Sequence, residues 1–158
     1  MHRIALTGHV NVSDDVAEWL AATLAARLGR ILEPPVHGIT CLAKGADQVF
    51  VRAIISLSGT FEVVLPAHDY TRWMMGTGDG TTFCELLEQA SAVEIMPFEK
   101  SSRDAYLAAS EAMLSRCDLL LAVWDGDPSR RIGDTADVVK KARERDLPVE
   151  VLWPPYTG

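Results

Sequence analysis

Cysteine, positive charge and long apolar runs are all scarce in this sequence, and each shortage removes a class of protein. The three cysteines, Cys41, Cys84 and Cys117, are odd in number and widely spaced, which argues against a disulfide framework and for free thiols. No apolar stretch approaches the roughly 20 residues of a membrane span. The opening MHRIALTG lacks a secretory core, so a cytoplasmic protein with no membrane partner is expected. Lys and Arg total 15 against 22 Asp and Glu, a net charge of -7, which argues against nucleic acid held along a broad phosphate backbone. His2, His9, His37 and His68 show no ligand spacing with one another or with the cysteines, so no metal centre is expected. A Walker-type GKS or GKT is missing, as is a GxSxG elbow, and no cysteine sits where a nucleophile would be activated. Small phosphorylated ligands survive these exclusions, because helix N-termini and one or two arginines suffice to hold a phosphate.

What is present is a repeated junction of strand, glycine-bearing turn and helix start. In DLLLAVWDGDPSRRIGDTAD the apolar run Leu119 to Val123 reads as a parallel strand covered on both faces. A polar loop with Gly126 and Gly133 follows, and then a helix start whose amides and dipole favour an anion. IALTGHVNVSDD places Gly8 at the end of a first strand, and ITCLAKGADQVF places Gly45 between a second strand and a second helix. Together these turns suggest one crevice at the carboxyl edge of a parallel sheet.

Strands are expected over Arg3 to Thr7, Gly38 to Leu42, Phe61 to Leu65, Ala92 to Met96, Asp118 to Trp124 and Val149 to Trp153. A first helix should start near Ser13, an N-cap followed by Asp14 and Asp15, and bury Val16, Leu20, Leu24 and Leu28. Later helices are expected from about Asp47 to Leu57, Thr82 to Gln89, Ser101 to Arg116 and Thr135 to Arg145. Ala67 to Thr82 reads as a lid or plain surface loop, its GTGDGTT lacking the preceding strand a phosphate loop needs. The alternation makes residues 1 to 158 one α/β domain, with a mostly parallel sheet of about six strands and helices on both faces.

The candidate site residues fall on the turns. Gly8 would admit a phosphate or ribose, with His9 beside it as a hydrogen-bonding partner or acid and base. Lys44 supplies a point charge and Gly45 and Ala46 supply amides, with Asp47 in the first helical turn. An ordinary helix entry accounts for that stretch equally well. Asp125 and Gly126 end the central strand, where a carboxylate would accept hydrogen bonds from a ribose or position a water; turn chemistry is the alternative account, and the location at the strand end favours the functional one. Beyond Arg130 and Arg131, Gly133, Asp134 and Thr135 would present amides and a hydroxyl to phosphate. Trp19, Trp73 and Trp153 read as packing residues, whereas Trp124 and Tyr70 would flank a base if they lined the crevice.

In order and placement TGH, AKGAD, VWDG and GDTADVV resemble the SLOG superfamily, the Rossmann-like group that contains the DprA-like and LOG-like nucleotide-binding proteins. The resemblance spans most of the chain and implies a Rossmann-like sheet binding a nucleotide or nucleotide-derived ligand across its strand ends. It assigns Gly8 and His9 to the first turn, Gly45 to Asp47 to the second, Asp125 and Gly126 to the strand end and Gly133 to Thr135 to the phosphate turn. Val10 stands where the family often has arginine, and Asp134 replaces the middle glycine of GGT. The leading expectation is binding or sensing of a nucleoside phosphate or ADP-ribose-like molecule, with no cofactor required. The alternative implied by the LOG-like branch is a nucleoside 5'-monophosphate phosphoribohydrolase with Asp137 as catalytic carboxylate and Arg131 as its partner. Single-stranded DNA binding in the manner of the DprA branch is disfavoured by the acidic balance. Apolar helix faces leave a homo-oligomer open.

Overall fold

The computed structural model describes residues 2–8, 12–31, 35–76, 80–126 and 135–155. Six strands form one wholly parallel sheet: β1 (His2–Gly8), β2 (Val36–Thr40), β3 (Thr60–Leu65), β4 (Ala92–Ile95), β5 (Leu119–Val123) and β6 (Val149–Leu152). Around it lie α1 (Asp14–Gly29), α2 (Ala46–Ser56), α3 (Tyr70–Met75), α4 (Gly80–Glu88), α5 (Arg103–Leu114) and α6 (Thr135–Glu144). The strand order is β4-β3-β2-β1-β5-β6. Successive strands step outward from β1 to β4, and the chain then returns to the other side of β1. The topological switch point therefore lies between β1 and β5.

Side-chain alternation along the central strands explains the two helical layers. Ile4 and Leu6 of β1 and Leu121 and Val123 of β5 face α1 and α2, where Leu20, Leu24, Leu28, Phe50 and Ile54 complete a core. Ala5, Ile39, Val64 and Leu120 face the opposite way onto Ala109 and Met113 of α5 and Val138 and Ala142 of α6. A third cluster on the first face joins Val51, Phe61, Val63 and Leu65 to Tyr70, Met74 and Phe83 of α3 and α4. Central strands covered on both faces must be apolar at every position, which is why Leu119 to Val123 carries no polar residue.

Local signals explain the helix starts. Ser13 accepts a hydrogen bond from the Val16 amide at 3.3 Å, and Ser102 from the Ala105 amide at 3.1 Å, so each closes an open donor of a first turn. The leucine stripe of α1 is buried at Leu20, Leu24 and Leu28, with Val16 only half-buried. Two departures from expectation have a clear local cause. Strand β2 occupies Val36–Thr40 and ends before Cys41, because Leu42 takes a left-handed φ of 55° that no strand continues through. Within the stretch expected to be irregular, Tyr70–Met75 is helix α3, its Trp73 amide bonded to the Asp69 carbonyl.

At the amino-terminal half of the sheet sits a charged cluster. Arg3 donates to Glu62 at 2.8 Å, His37 Nε2 lies 3.6 Å from the same carboxylate, and Arg116 pairs with both Glu62 and Glu94. Burial pushes the His37 imidazole below its usual pKa, against the opposing pull of Glu62. This cluster holds four strands in register at the end of the sheet opposite the helix N-termini.

Candidate nucleotide site at the carboxyl edge

In a parallel sheet with crossover helices, every helix that follows a strand starts at the carboxyl edge. The N-termini of α1, α2 and α6 thus approach the ends of β1 and β5, with α2 on one face and α6 on the other. Gly8 is where these parts converge. It pairs with Val123 of β5, and a Cβ placed on it would lie 2.6 Å from the Ala46 Cβ and 2.9 Å from the Val123 Cβ. Only hydrogen in place of a side chain lets the first turn of α2 lie against the ends of both strands. Gly8, Ala46 and Val123 are therefore in one contact, at the switch point where open α/β sheets leave a crevice.

The turn from β2 into α2 is fixed by its own bonds. The Thr40 hydroxyl accepts from the Leu42 amide at 2.9 Å, and the Asp47 carboxyl accepts from the Ala43 amide at 3.0 Å. Gly45 has φ 86° and ψ -127°, a conformation that a side chain would forbid. It serves as N-cap without a side-chain hydrogen bond to the helix, and its carbonyl receives the Gln48 and Val49 amides, both at 3.2 Å. Lys44 is half-buried beside this start, while Asp47 is buried with 7 % of its surface exposed. Gln48, one residue further, is also buried, and its Nε2 has no hydrogen-bond partner.

Burial raises the Asp47 carboxyl to about 7, although the Ala43 amide and the Thr40 hydroxyl both favour its charged form. Below that pH it is a neutral acid at a helix N-terminus, so it weakens neither the dipole nor the attraction of Lys44 for an anion. The same desolvation pushes up the Cys41 thiol and the Tyr70 hydroxyl, Asp47 adding to both. These groups place an uncharged, semi-polar wall next to the α2 start at acid to neutral pH.

The remaining candidates divide sharply. Asp125 and Gly126 follow β5 at the same edge and are exposed, Gly126 having φ 89°. Thr135 opens α6 and is buried at 3 % exposure, and Asp137 is half-buried in that helix's first turn. His9, Arg131, Gly133 and Asp134 lie outside the described residues. Gly8, Ala46 and Val123 thus meet at one edge, whereas Gly133 and Asp134 of the expected phosphate turn, and Arg131, carry no structural description. Trp19 and Trp153 pack on the core as expected, but Trp73 is 59 % exposed and is not a packing residue. Thr40 escaped the sequence reading because nothing marks one threonine in a strand as the anchor of the next turn. A groove of about 490 Å³ along the flank of α1 is lined by Trp19, Ala26 and Arg30 and by Leu152, the last residue of β6, away from the contact of Gly8 with Ala46 and Val123.

No family model and no curated protein matches the chain. Solved structures do. DNA processing protein A (DprA) from Streptococcus pneumoniae is 14% identical with a TM-score of 0.67, and 99% of this chain covers 51% of that one. DprA from Helicobacter pylori, solved in a study of its single-stranded DNA binding, is 15% identical with a TM-score of 0.71 over 99% of this chain and 67% of its own. TM1055, a structural-genomics target, is 17% identical with a TM-score of 0.57 over 94% of this chain and 72% of its own. The chain spans about half the length of the S. pneumoniae protein. At these identities the likeness concerns the backbone: the chain has the Rossmann-like, DprA-type fold that its turn motifs imply.

Proposed function

We propose that this protein binds a nucleotide or nucleotide-derived ligand, such as a nucleoside phosphate or an ADP-ribose-like molecule, at the carboxyl ends of β1 and β5. The observation that carries this reading is the three-way contact of Gly8, Ala46 and Val123. It puts the start of a helix whose N-cap, Gly45, makes no side-chain hydrogen bond to it against the switch point, with a lysine beside it. The first-turn amides of α2 and the charge of Lys44 would take the phosphate, with Gly45 letting the backbone approach it. Asp125, exposed at the end of β5, would accept hydrogen bonds from the ribose. Thr135 and the first turn of α6 would close the site from the opposite face, Gly8 would admit the ligand at the end of β1, and His9, Gly133 and Asp134 would add contacts to it.

Native mass spectrometry of the protein incubated with nucleoside phosphates, NAD and ADP-ribose tests this. Retention of one of them intact, weakened at least tenfold by Lys44→Ala, is the expected result. Free base accompanied by ribose 5-phosphate would instead establish cleavage of the glycosidic bond. Absence of any retained mass across the panel would overturn the reading.

A further inference from the structure

Among the described residues, the Gln48 Nε2 is the one enclosed side-chain nitrogen or oxygen with no hydrogen-bond partner. Gln48 as a whole is 8 % exposed. Its neighbours at the same turn are satisfied, since Thr40 accepts from the Leu42 amide and Asp47 from the Ala43 amide. A buried amide left open costs stability, and native chains hold few of them, so this one calls for a cause.

Gln48 is the third residue of α2, after Ala46 and Asp47. Side chains on a helix lean toward its N-terminus, and a glutamine at the third position reaches back over the first turn to the cap. Here the cap is Gly45, which offers no side chain as an acceptor. Helix geometry sets Gln48 on the flank opposite Ala46, in line with Val51 and Ile55, which pack with Phe61, Tyr70 and Phe83. Ala46 and Gln48 therefore bracket the start of α2, one toward the switch point and the other toward α4. The groups between them are donors. The Gly45 carbonyl takes the Gln48 and Val49 amides, which leaves those of Ala46 and Asp47 without a carbonyl of their own helix. Lys44 adds a cation beside them, and the Asp47 carboxyl is turned back onto the Ala43 amide.

We infer that Gln48 is a ligand-binding residue, whose carboxamide donates a hydrogen bond to a phosphate group seated at the start of α2. The inference rests on the reading of the carboxyl edge as a phosphate site and adds to that site a side chain that no glycine-turn motif marks. A phosphate is the partner that fits, because it accepts from several donors at once and a helix start beside a lysine favours its charge. A base edge or a sugar hydroxyl would bring donors of its own to a place already filled with donors. Glutamine turns about three side-chain bonds, so its carboxamide meets a phosphate oxygen through a change of rotamer, with the backbone of α2 in place. Binding then satisfies the open donor. The group that weakens the unliganded protein strengthens the complex, a trade of stability for function.

Gln48→Met keeps the length of the side chain and removes its donor, which separates a binding role from a packing role. Two measurements on this variant are expected to move in opposite directions. Without ligand it should unfold at a higher denaturant concentration than the wild type, because no open donor is buried. In titration calorimetry it should bind AMP or ADP-ribose about tenfold more weakly, the effect of one hydrogen bond to a charged group. A third measurement needs no variant: the side-chain amide signals of Gln48 in the wild type should shift on addition of AMP or ADP-ribose and stay in place with adenosine, which has no phosphate. Equal affinity of Gln48→Met and wild type overturns the role of Gln48 and leaves the phosphate site standing. So do Gln48 side-chain signals that stay in place at saturating nucleotide, the deciding result if the variant does not fold. Stability and affinity lost together would show a packing residue and overturn the inference as well. A wild type that binds neither AMP nor ADP-ribose overturns the phosphate site and Gln48 with it.

Discussion

A single hydrogen atom at Gly8 decides how closely α2 approaches the sheet. Ala at this position would push against the Ala46 methyl group and the Val123 Cβ, 2.6 and 2.9 Å from its Cβ. Overpacking of this kind costs about 1–3 kcal/mol. Gly8→Ala is expected to lower the thermal midpoint, and Ala46→Gly added to it should recover part of the loss, since the two changes act on one contact. Strict additivity in that double-mutant cycle would show that the contact is absent. Asp47 offers a second test at the same scale. Its folded-state value of about 7 lies above the usual carboxylate value of 3.8. The unfolded chain therefore loses its proton first as the pH rises. Stability falls through the interval from about 4 to about 7 and is flat beyond it. Asp47→Asn keeps an acceptor for the Ala43 amide and removes the ionisation. Denaturant melts should show this variant gaining on the wild type by about 1–3 kcal/mol between pH 5 and pH 8; parallel curves would contradict the buried acid.

Elements divide the molecule into a stabilising end and the end at which binding is proposed. Glu62 of β3 gathers Arg3, His37 and Arg116 at the amino-terminal half of the sheet. Its side chain is only 15% exposed, so removing the charge leaves partners poorly satisfied. Glu62→Gln is expected to cost about 1–3 kcal/mol in denaturant melts, with ligand affinity unchanged; a loss of affinity at constant stability would show that the two ends are coupled. How well each element could be read from sequence follows from how local its cause is. The start of α1 was legible because Ser13 and the Leu20, Leu24 and Leu28 stripe lie within one helix. Helix α3 was not, because six residues with Trp73 and Met75 turned to solvent show no helical stripe, and its fold depends on Tyr70 packing against Phe83. The end of β2 was placed two residues late, since Cys41 and Leu42 continue the apolar run past a turn made by the backbone of Leu42.

At the scale of the whole molecule, alternating apolar runs and helix periods determined the parallel sheet, because crossover geometry leaves few alternatives. The gathering of glycine turns at one edge followed from the same rule. Neither the Gly8 contact nor the raised Asp47 pKa was legible, because each needs the spatial meeting of segments far apart in the chain. The contact of Tyr70 with Tyr106 was hidden for that reason too, the two rings being brought together by two loops bonded across neighbouring strands. The chain has a net charge of -7, with cations gathered at Lys44, beside Asp69 and along Lys140 to Arg145. Ligand binding is proposed at the carboxyl ends of β1 and β5. The most direct test is an amide chemical-shift titration with AMP. The account predicts the largest shifts at Gly8, Lys44 to Asp47, Asp125, Gly126 and Thr135, with Arg3, His37 and Glu62 unmoved. Shifts centred on the amino-terminal cluster or on the α1 groove, or no shifts at millimolar AMP, would contradict it.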